Sequence, residues 1–396
     1  MKDIYQQALT YHQQHIGKLT TTSAVGTLTS KQDLSLAYTP GVAEPCRVIS
    51  KNKDQAYNYT LKGRTVAVIS DGSAVLGLGN IGAEAALPVM EGKALLIKQF
   101  GGVDAFPLVI NAQDPREIIK FVKQVAPTFA GINLEDIAAP TCFQVEEALQ
   151  DIGIPVFHDD QHGTAIVVRA ALLNAAKVVN KPFDSLRVGI IGAGSAGLAI
   201  ARMILGLSCS ADSCSTISHA KRVRDVILFD RQGALVVGRA GQNIYKQAIA
   251  GLSNKEQRTG LPEQALIDFD VVIGVSGPGS ISPEVIKVMA DKPIVCALAN
   301  PTPEIMPEDA KKAGAYVIAT GRSDFANQIN NVLAFPGIFR AVVKGRLKTI
   351  TYEMKEAASD TIAQAVTQPT REEIIPSVFT PNLAEKVAEA VIKASK

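Results

Sequence analysis

A glycine-rich turn restricts the second half of this chain to one class of fold. Residues 187–191 form an apolar run typical of a buried strand, and Gly192-Ala-Gly194-Ser-Ala-Gly197 follows it directly and opens a helix-like run. In this context the glycines allow a tight turn, a close approach of the backbone to a pyrophosphate, and close packing of helix on strand. The pattern predicts a Rossmann-type domain that binds a dinucleotide at the helix N-terminus.

The residue after the next strand indicates which dinucleotide is bound. Asp230 follows the apolar run 226–229, where its carboxylate could accept hydrogen bonds from the ribose hydroxyls of NAD. It lies further along than the usual ~20 residues, and a polar insertion at 208–224 accounts for the excess. The same charge would repel the 2′-phosphate of NADP, so we expect NAD to be preferred, although Arg231 could pair with that phosphate and make NADP possible. The predicted cofactor-binding residues are Gly192, Gly194, Ser195, Ala196, Gly197 and Asp230.

Two apolar runs in the first half of the chain each lead into adjacent carboxylates, which are Glu135-Asp136 and Asp159-Asp160. Ligands of open parallel sheets bind beyond the carboxyl ends of the strands, so both pairs can meet at one point. Carboxylates that lie close together repel each other unless a cation separates them, and an all-oxygen set favours Mg²⁺ or Mn²⁺. Helix caps or solvated loop residues are the alternative.

The neighbouring histidines raise a second possibility for the metal. His158, Asp160 and His162 are spaced two residues apart, as in some zinc sites. We consider zinc the weaker hypothesis, because no cysteine is nearby and Gly163-Thr164 indicates that a helix begins there.

Strand-like and helix-like segments alternate along both halves, which predicts parallel sheets of the α/β class. We expect an N-terminal α/β domain for substrate and metal at 1–162 and a Rossmann-type domain with C-terminal helices at 163–396. A second pattern, Gly77-x-Gly79-x-x-Gly82, has no abutting strand and is interpreted as close backbone packing beside the site. The predicted strands are 66–70, 106–110, 129–132, 154–157, 187–191, 226–229, 270–274, 293–298 and 316–318.

Composition bounds the class of protein. A length of 396 residues with 47% hydrophobic content is sufficient for two domains with real cores. The net charge of +2 and the absence of basic blocks argue against nucleic-acid partners, and no apolar run is long enough to predict a membrane span. The polar N-terminal segment and five scattered cysteines predict reduced thiols and a cytoplasmic location. Cys209 and Cys214 could pair or bind a metal, but two free thiols in a surface loop are favoured.

Hydride transfer beside a hard cation suits a 2-hydroxy acid, whose hydroxyl and carboxylate can both bind the metal. Such chemistry needs a base for the hydroxyl proton. Lys93 lies on a predicted helix of the same domain, where burial and the cation would lower its pKa. Tyr38 lies in a Pro-Gly turn that could hold its phenol rigidly.

Together these motifs resemble the malic enzymes, in particular their short bacterial form, over nearly the whole chain. The motifs are Tyr38-Thr-Pro-Gly-Val-Ala43, Ser70-Asp-Gly-Ser-Ala-Val-Leu-Gly-Leu-Gly-Asn-Ile-Gly82, Glu91-Gly-Lys93, Asn133-Leu-Glu-Asp136, Phe157-His-Asp-Asp-Gln-His-Gly-Thr-Ala165, Ala299-Asn-Pro-Thr302 and Gln328-Ile-Asn-Asn-Val332.

The resemblance assigns roles to particular residues. The metal ligands would be Glu135, Asp136 and Asp160; the general base Lys93; the general acid Tyr38; and the substrate contacts Asn300, Asn330 and Asn331, with Asn331 the better match of that pair. Larger family members carry an arginine for the substrate carboxylate where this sequence has Ala74, so the resemblance does not say what neutralises that carboxylate here.

The resemblance implies oxidative decarboxylation of malate to pyruvate and CO₂ with reduction of NAD(P), in a homodimer. Lys93 would accept the hydroxyl proton during hydride transfer, and Tyr38 would protonate C3 of the enolate left after CO₂ departs. Two alternatives remain open. A malolactic-type enzyme would retain the cofactor and release lactate, and a non-catalytic nucleotide-binding redox sensor would have the fold alone.

Overall fold

The computed structural model contains two largely parallel sheets, and it describes residues 4–15, 18–75, 77–210 and 213–396. Position 76, just before the Gly77-x-Gly79-x-x-Gly82 pattern, and positions 211–212 of the insertion therefore lie outside the described residues. The chain begins with four short helices that precede the first sheet. They are α1 (Ile4–His15), α2 (Lys31–Ala37), α3 (Ala43–Lys51) and α4 (Ala56–Tyr59).

The first sheet has four parallel strands in the order β2-β1-β3-β4. Every residue of β1 is buried, as expected for a strand that is covered on both faces. The strands are β1 (Thr65–Ser70), β2 (Asp104–Val109), β3 (Ile132–Leu134) and β4 (Val156–His158). The helices that connect or follow them are α5 (Ala83–Gly101), α6 (Pro115–Val125), α7 (Thr141–Glu147) and α8 (Asp159–Val179).

The second sheet has six strands in the order β12-β11-β10-β5-β8-β9, parallel except for β9. This is a Rossmann-type arrangement in which the strand order reverses between β5 and β10. Its elements, with a separate β6–β7 hairpin, are β5 (Arg187–Ile191), α9 (Ser195–Leu205), β6 (Leu207–Cys209), β7 (Cys214–Thr216), β8 (Asp225–Asp230), β9 (Gly233–Ala234), α10 (Ile244–Ala250), α11 (Pro262–Ala265), β10 (Val271–Gly274), α12 (Pro283–Val288), β11 (Ile294–Ala297), α13 (Pro307–Lys312) and β12 (Val317–Thr320).

The predicted strands are present, and their ends differ by a few residues. The largest difference concerns β3, which was predicted at 129–132 and lies at Ile132–Leu134. Ala126–Thr128 forms a 3₁₀ turn. Residues 129–131 after it are buried, but they precede the paired strand. An apolar run in the sequence indicates which residues are buried, whereas hydrogen bonding sets the limits of a strand. Here the buried run begins three residues before the hydrogen-bonded strand.

The helix α8 joins the two sheets and begins earlier than predicted. It starts at Asp159 instead of Gly163, so both carboxylates of the second acidic pair occupy its first turn, where the helix dipole favours negative charge. By length and composition α8 could cross a membrane, but 72% of its most apolar stretch is buried inside the protein. The predicted domain boundary at 162/163 lies within this helix and stays a prediction.

The insertion at 208–224 is not the featureless loop with two free thiols that the sequence suggested. β6 and β7 pair as an antiparallel hairpin, and a disulfide joins Cys209 to Cys214. The prediction of free thiols there is wrong, because the hairpin register places the two cysteines opposite each other.

The C-terminal helices contact both parts of the chain. Arg340, in the helix at Phe335–Gly345, donates to the Gly101 carbonyl of α5 at 3.1 Å. Arg169 of α8 is fully buried and pairs with Glu356 at 2.7 Å and Asp360 at 2.6 Å. These helices are α14 (Phe335–Gly345), α15 (Tyr352–Gln364) and α16 (Leu383–Ala394). The second half of the chain therefore also covers the first sheet.

Candidate active site

Three carboxylates converge at the carboxyl ends of β3 and β4. These strands are parallel neighbours, so Glu135 and Asp136, which follow β3, lie beside Asp160 in the first turn of α8. One ligand oxygen from each residue lies within 4.8 Å of the others, and this is the one such group in the described parts of the chain. The Asp136 N–H donates to Asp160 Oδ2 at 2.8 Å and links the loop after β3 to the first turn of α8. An all-oxygen set of this geometry fits Mg²⁺ or Mn²⁺.

His162, one of the two histidines of the zinc hypothesis, has other partners. His162 Nε2 lies 2.7 Å from Glu146 Oε1, and its Nδ1 lies 3.1 Å from Lys355 Nζ. Both ring nitrogens of His162 are therefore in use, which leaves no lone pair for a metal. His158 is fully buried, with Nδ1 3.7 Å from Asp160 Oδ2. The structure does not bring a zinc set together.

Lys93 lies directly beside this set of three carboxylates. It projects from α5, and its Nζ is 2.7 Å from Glu135 Oε1 and 2.5 Å from Asp159 Oδ2. The Phe335 ring of the second half of the chain covers the ammonium, with its centroid 4.1 Å away. Lys93 is only 7% exposed, so this ion-pair cluster is shielded from bulk water.

The electrostatics of Lys93 differ from the sequence prediction. Burial lowers its pKa, but the charges of Asp159 and Glu135 outweigh burial, and the net pKa is raised. The prediction that burial and a cation would lower this pKa left out the two neighbouring carboxylates, which raise it. Burial also raises the pKa of Glu135 to about 7, that of Asp159 to about 7 and that of Asp160 to about 6. A divalent cation among these carboxylates would cancel much of their charge and lower the pKa of Lys93.

Asp159 is a member of this cluster to which the sequence analysis gave no role. It is fully buried, and its Oδ2 accepts from Lys93 and, at 2.5 Å, from Asn331 Nδ2. The signal was its position at a strand end beside Asp160, but the resemblance assigned only the second member of that pair. Asn331 thus reaches the cluster from the second half of the chain, whereas Asn330 caps a short helix by accepting from the Val332 N–H.

Tyr38 does not join the buried cluster within a single chain. It lies at the C-terminal end of α2, and its side chain is 68% exposed. Its backbone is fixed by bonds to Leu34 O at 2.9 Å and from the Val42 N–H at 2.7 Å. The backbone of the turn is therefore hydrogen-bonded on both sides of Tyr38, while the phenol faces outward.

The Gly77-x-Gly79-x-x-Gly82 pattern packs against the loop that carries Asn300. Gly77 has a φ of +75°, and a Cβ there would lie 2.6 Å from the Asn300 carbonyl oxygen. Only glycine allows both the conformation and the contact. This agrees with the interpretation of the motif as close backbone packing, and it places Asn300 where the two halves of the chain meet.

A cavity of about 840 Å³ opens beyond the carboxyl ends of β5 and β10, where the strand order reverses. A Cβ at Gly194 would meet no atom within 4 Å, which leaves room for a phosphate, whereas a Cβ at Gly197 would clash with the Gly192 carbonyl. Ser195 and Ala196 form the first turn of α9 beside it. The residues lining the cavity include Gly192, Ala193, Gly194, Asp230, Arg231, Gln232, Lys246, Val275, Ser276 and Gly277. This crevice suits a dinucleotide.

Asp230 lines this crevice, but its carboxylate already has partners. Its Oδ2 accepts from Arg239 at 2.5 Å and from Lys246 at 2.7 Å, and its Oδ1 accepts from the Gln232 N–H at 3.0 Å. The negative charge is therefore compensated, and Arg231 lines the same crevice.

Profiles of two domain families match consecutive parts of this chain. The profile of the malic enzyme N-terminal domain matches residues 17–150, and that of the malic enzyme NAD-binding domain matches residues 161–396.

The chain belongs to the malic enzyme family.

Relatives of known name and structure support this membership of the malic enzyme family. The bifunctional malic/malolactic enzyme of Bacillus subtilis is 50% identical over 394 residues, which cover 98% of this chain and 92% of that protein. The NAD-dependent malic enzyme of Geobacillus stearothermophilus is 48% identical over 384 residues, which cover 96% and 77%. The crystal structure of an NAD-dependent malic enzyme from Thermotoga maritima has a TM-score of 0.90 at 45% identity and covers 97% of this chain and 98% of that one. Other relatives are named NADP-dependent malic enzymes.

Any stabilisation of this malic enzyme by Mn²⁺ at the three carboxylates is expected to depend on pH. The raised pKa values, about 7 for Glu135 and about 6 for Asp160, mean that protons compete with a metal below neutral pH. Each displaced proton weakens metal binding about tenfold per pH unit below its pKa. Without metal, burial of the ionised carboxylates costs stability as pH rises through these pKa values. The rise in Tm caused by Mn²⁺ should therefore be larger at pH 8 than at pH 5.5.

Differential scanning fluorimetry with and without Mn²⁺ tests this expectation. Asp160→Asn should remove most of the effect at both pH values, whereas Asp151→Asn, which changes an exposed acid, should leave it intact. An equal rise in Tm at both pH values would contradict the role given to these carboxylates.

Proposed function

We propose that this chain catalyses the oxidative decarboxylation of malate to pyruvate and CO₂ with reduction of NAD(P) in the presence of Mg²⁺ or Mn²⁺. One observation carries the proposal. Lys93 contacts Glu135 and Asp159 where water is largely excluded, beside the three carboxylates that could hold a cation. Asn331 and Phe335 reach this cluster from the half of the chain that also holds the dinucleotide crevice. A base, a cation site and a hydride acceptor can therefore serve one substrate.

Lys93 is positioned to act as the general base. In its neutral form the amine accepts the proton of the C2 hydroxyl while hydride leaves C2 for the nicotinamide. Asp159 and Glu135 then stabilise the ammonium that has formed, because both contact Nζ. A cation held by Glu135, Asp136 and Asp160 would supply Lewis-acid polarisation of the substrate oxygens. Asn331 and Asn300 are the proposed substrate contacts, with Asn330 supporting the position of Asn331.

Tyr38 is the proposed acid that protonates C3 after CO₂ leaves, and its exposure on a single chain supports assembly into a homodimer. Leu34 and Leu36 of α2 and Val42 after it are exposed with Tyr38. A second copy of the chain that covers this apolar surface would exclude water from the phenol.

Sedimentation tests the homodimer and should give a mass of two chains, each of 41.9 kDa. Leu36→Glu should shift the measured mass toward that of one chain. Leu261→Glu, at an exposed site of the second half, should leave the mass unchanged.

We propose that NAD is preferred over NADP because Asp230 lies in the crevice, although its two cationic partners reduce the preference. Asp230→Ser removes the charge and frees Lys246 and Arg239 to bind a 2′-phosphate. Like charges in contact cost several kcal/mol, so the ratio of kcat/KM values should shift toward NADP by about tenfold or more. Gln232→Ser, in the same crevice but uncharged, serves as the control. A wild-type preference for NADP, or no shift in the Asp230→Ser enzyme, would mean that another residue selects the cofactor.

A direct assay distinguishes the proposed reaction from its alternatives. Malate and Mn²⁺ are supplied with NAD and, separately, with NADP, and reduced cofactor, pyruvate and lactate are all measured. Equal amounts of reduced cofactor and pyruvate are expected. Lactate without net cofactor reduction would favour the malolactic reaction, which the name of the Bacillus subtilis relative makes a specific second candidate. No product with either cofactor would leave the redox-sensor hypothesis.

We also propose a cytoplasmic location. Three of the five cysteines, Cys46, Cys142 and Cys296, are free thiols, which suits a reducing compartment, although the Cys209–Cys214 disulfide does not favour one.

A further inference from the structure

Glu304 is a buried carboxylate that the proposed chemistry does not use. It lies in the loop after β11, four residues beyond Asn300, and its side chain is fully shielded from solvent. Its two oxygens accept hydrogen bonds from two different loops. The Ser276 N–H donates to Oε1 at 2.9 Å, and the Ala299 N–H donates to Oε2 at 2.9 Å.

These two loops follow neighbouring parallel strands and face different reactants. Ser276 comes after β10 and lines the dinucleotide crevice. Ala299 comes after β11 and directly precedes Asn300, the proposed substrate contact. A single carboxylate therefore links the loop that lines the crevice to the loop that carries Asn300.

The surroundings of Glu304 leave little room for either loop to shift. A Cβ at Gly274, the last residue of β10, would lie 2.5 Å from Glu304 Cδ, so the side chain packs closely against that strand end. On the other side of the loop, a Cβ at Gly321 would lie 2.7 Å from Asn300 Nδ2. Loss of the carboxylate would leave two part-buried N–H groups without their acceptors, which favours movement of the loops.

We propose that Glu304 is a positioning residue for hydride transfer, acting through the Ser276 and Ala299 amides to hold nicotinamide and substrate at reacting distance. This inference rests on the proposed function, since it takes Asn300 as a substrate contact. A misplacement of about 1 Å between reacting groups lowers a rate on the order of 100-fold. Decarboxylation of supplied oxaloacetate requires no hydride transfer and should depend far less on this separation.

The test compares Glu304→Gln with the wild type. Glutamine has the same shape but turns one acceptor into a donor, so one loop is released. The kcat for malate oxidation should fall about 10- to 100-fold, and the primary isotope effect with malate deuterated at C2 should rise because hydride transfer becomes rate-limiting. Oxaloacetate decarboxylation should change little. Glu308→Gln, at an exposed position on α13, is the matched control.

Amide hydrogen exchange gives a readout that is independent of activity. Peptides containing Ser276 and Ala299 should exchange faster in Glu304→Gln than in the wild type, and in the wild type these two amides should be protected. Rapid exchange of the two amides in the wild type would overturn the proposal even where the variant does not fold.

The kinetic outcomes separate the two proposals. A lower kcat with an unchanged isotope effect would mean only a loss of folded enzyme and would overturn the positioning role, as would a wild-type rate in Glu304→Gln. A wild-type enzyme that oxidises no malate would instead refute the proposed function.

Discussion

Asp136→Asn is expected to abolish most malate oxidation while leaving the fold and dinucleotide binding intact. Asp136 has a φ of +54°, a left-handed conformation that asparagine tolerates and alanine does not, so the amide is the cleaner substitution. It replaces one of the three proposed metal-binding carboxylates by a neutral group. Loss of groups that only support metal ligands costs about 10- to 100-fold, and loss of a ligand itself should cost at least that much.

The measurements for Asp136→Asn are Mn²⁺ affinity, NAD affinity and the steady-state rate. Mn²⁺ affinity and rate should fall together, while NAD affinity should match the wild type because Asp136 is not among the residues lining the dinucleotide crevice. Asp151→Asn is the matched surface control. Full wild-type activity in excess chelator would refute the metal requirement.

Lys93→Ala is expected to stop malate oxidation, with a loss of about 10²–10⁴-fold if the lysine is the general base. The same change also removes the positive charge between Glu135 and Asp159, and breaking a buried ion pair in this way costs about 3–5 kcal/mol of stability. Lys93→Arg separates the two effects. Arginine keeps the charge but does not lose its proton in proteins, so it should restore stability more than activity.

Lys93→Ala and Asp136→Asn should differ in activity when oxaloacetate is supplied directly. Decarboxylation of oxaloacetate needs the proposed cation but no proton transfer from a C2 hydroxyl. It should therefore survive in Lys93→Ala better than in Asp136→Asn. Tyr38→Phe should mainly slow protonation of the enolate, which follows both steps. Malate oxidation at the wild-type rate in Lys93→Ala would rule out the lysine as base.

Local sequence patterns determined the fold and much of the candidate site. The run at 187–191 and the glycines that follow it specify a strand, a turn and a helix by themselves, because the strand requires apolar side chains and the turn requires residues without a Cβ. The two acidic pairs predicted a shared cation site because parallel strands end at one edge. The structure brings Glu135, Asp136 and Asp160 together there.

The tertiary structure decided what depends on partners distant in the sequence. Lys93 and Asp159 are 66 residues apart, and only their contact reveals that Asp159 belongs to the site and that the pKa of Lys93 is raised. Asp230 has its charge compensated by Arg239 and Lys246, which no strand pattern indicates. A local pattern fixes backbone conformation and burial, whereas the charge and pKa of a group depend on whichever groups the whole fold places within a few ångströms of it.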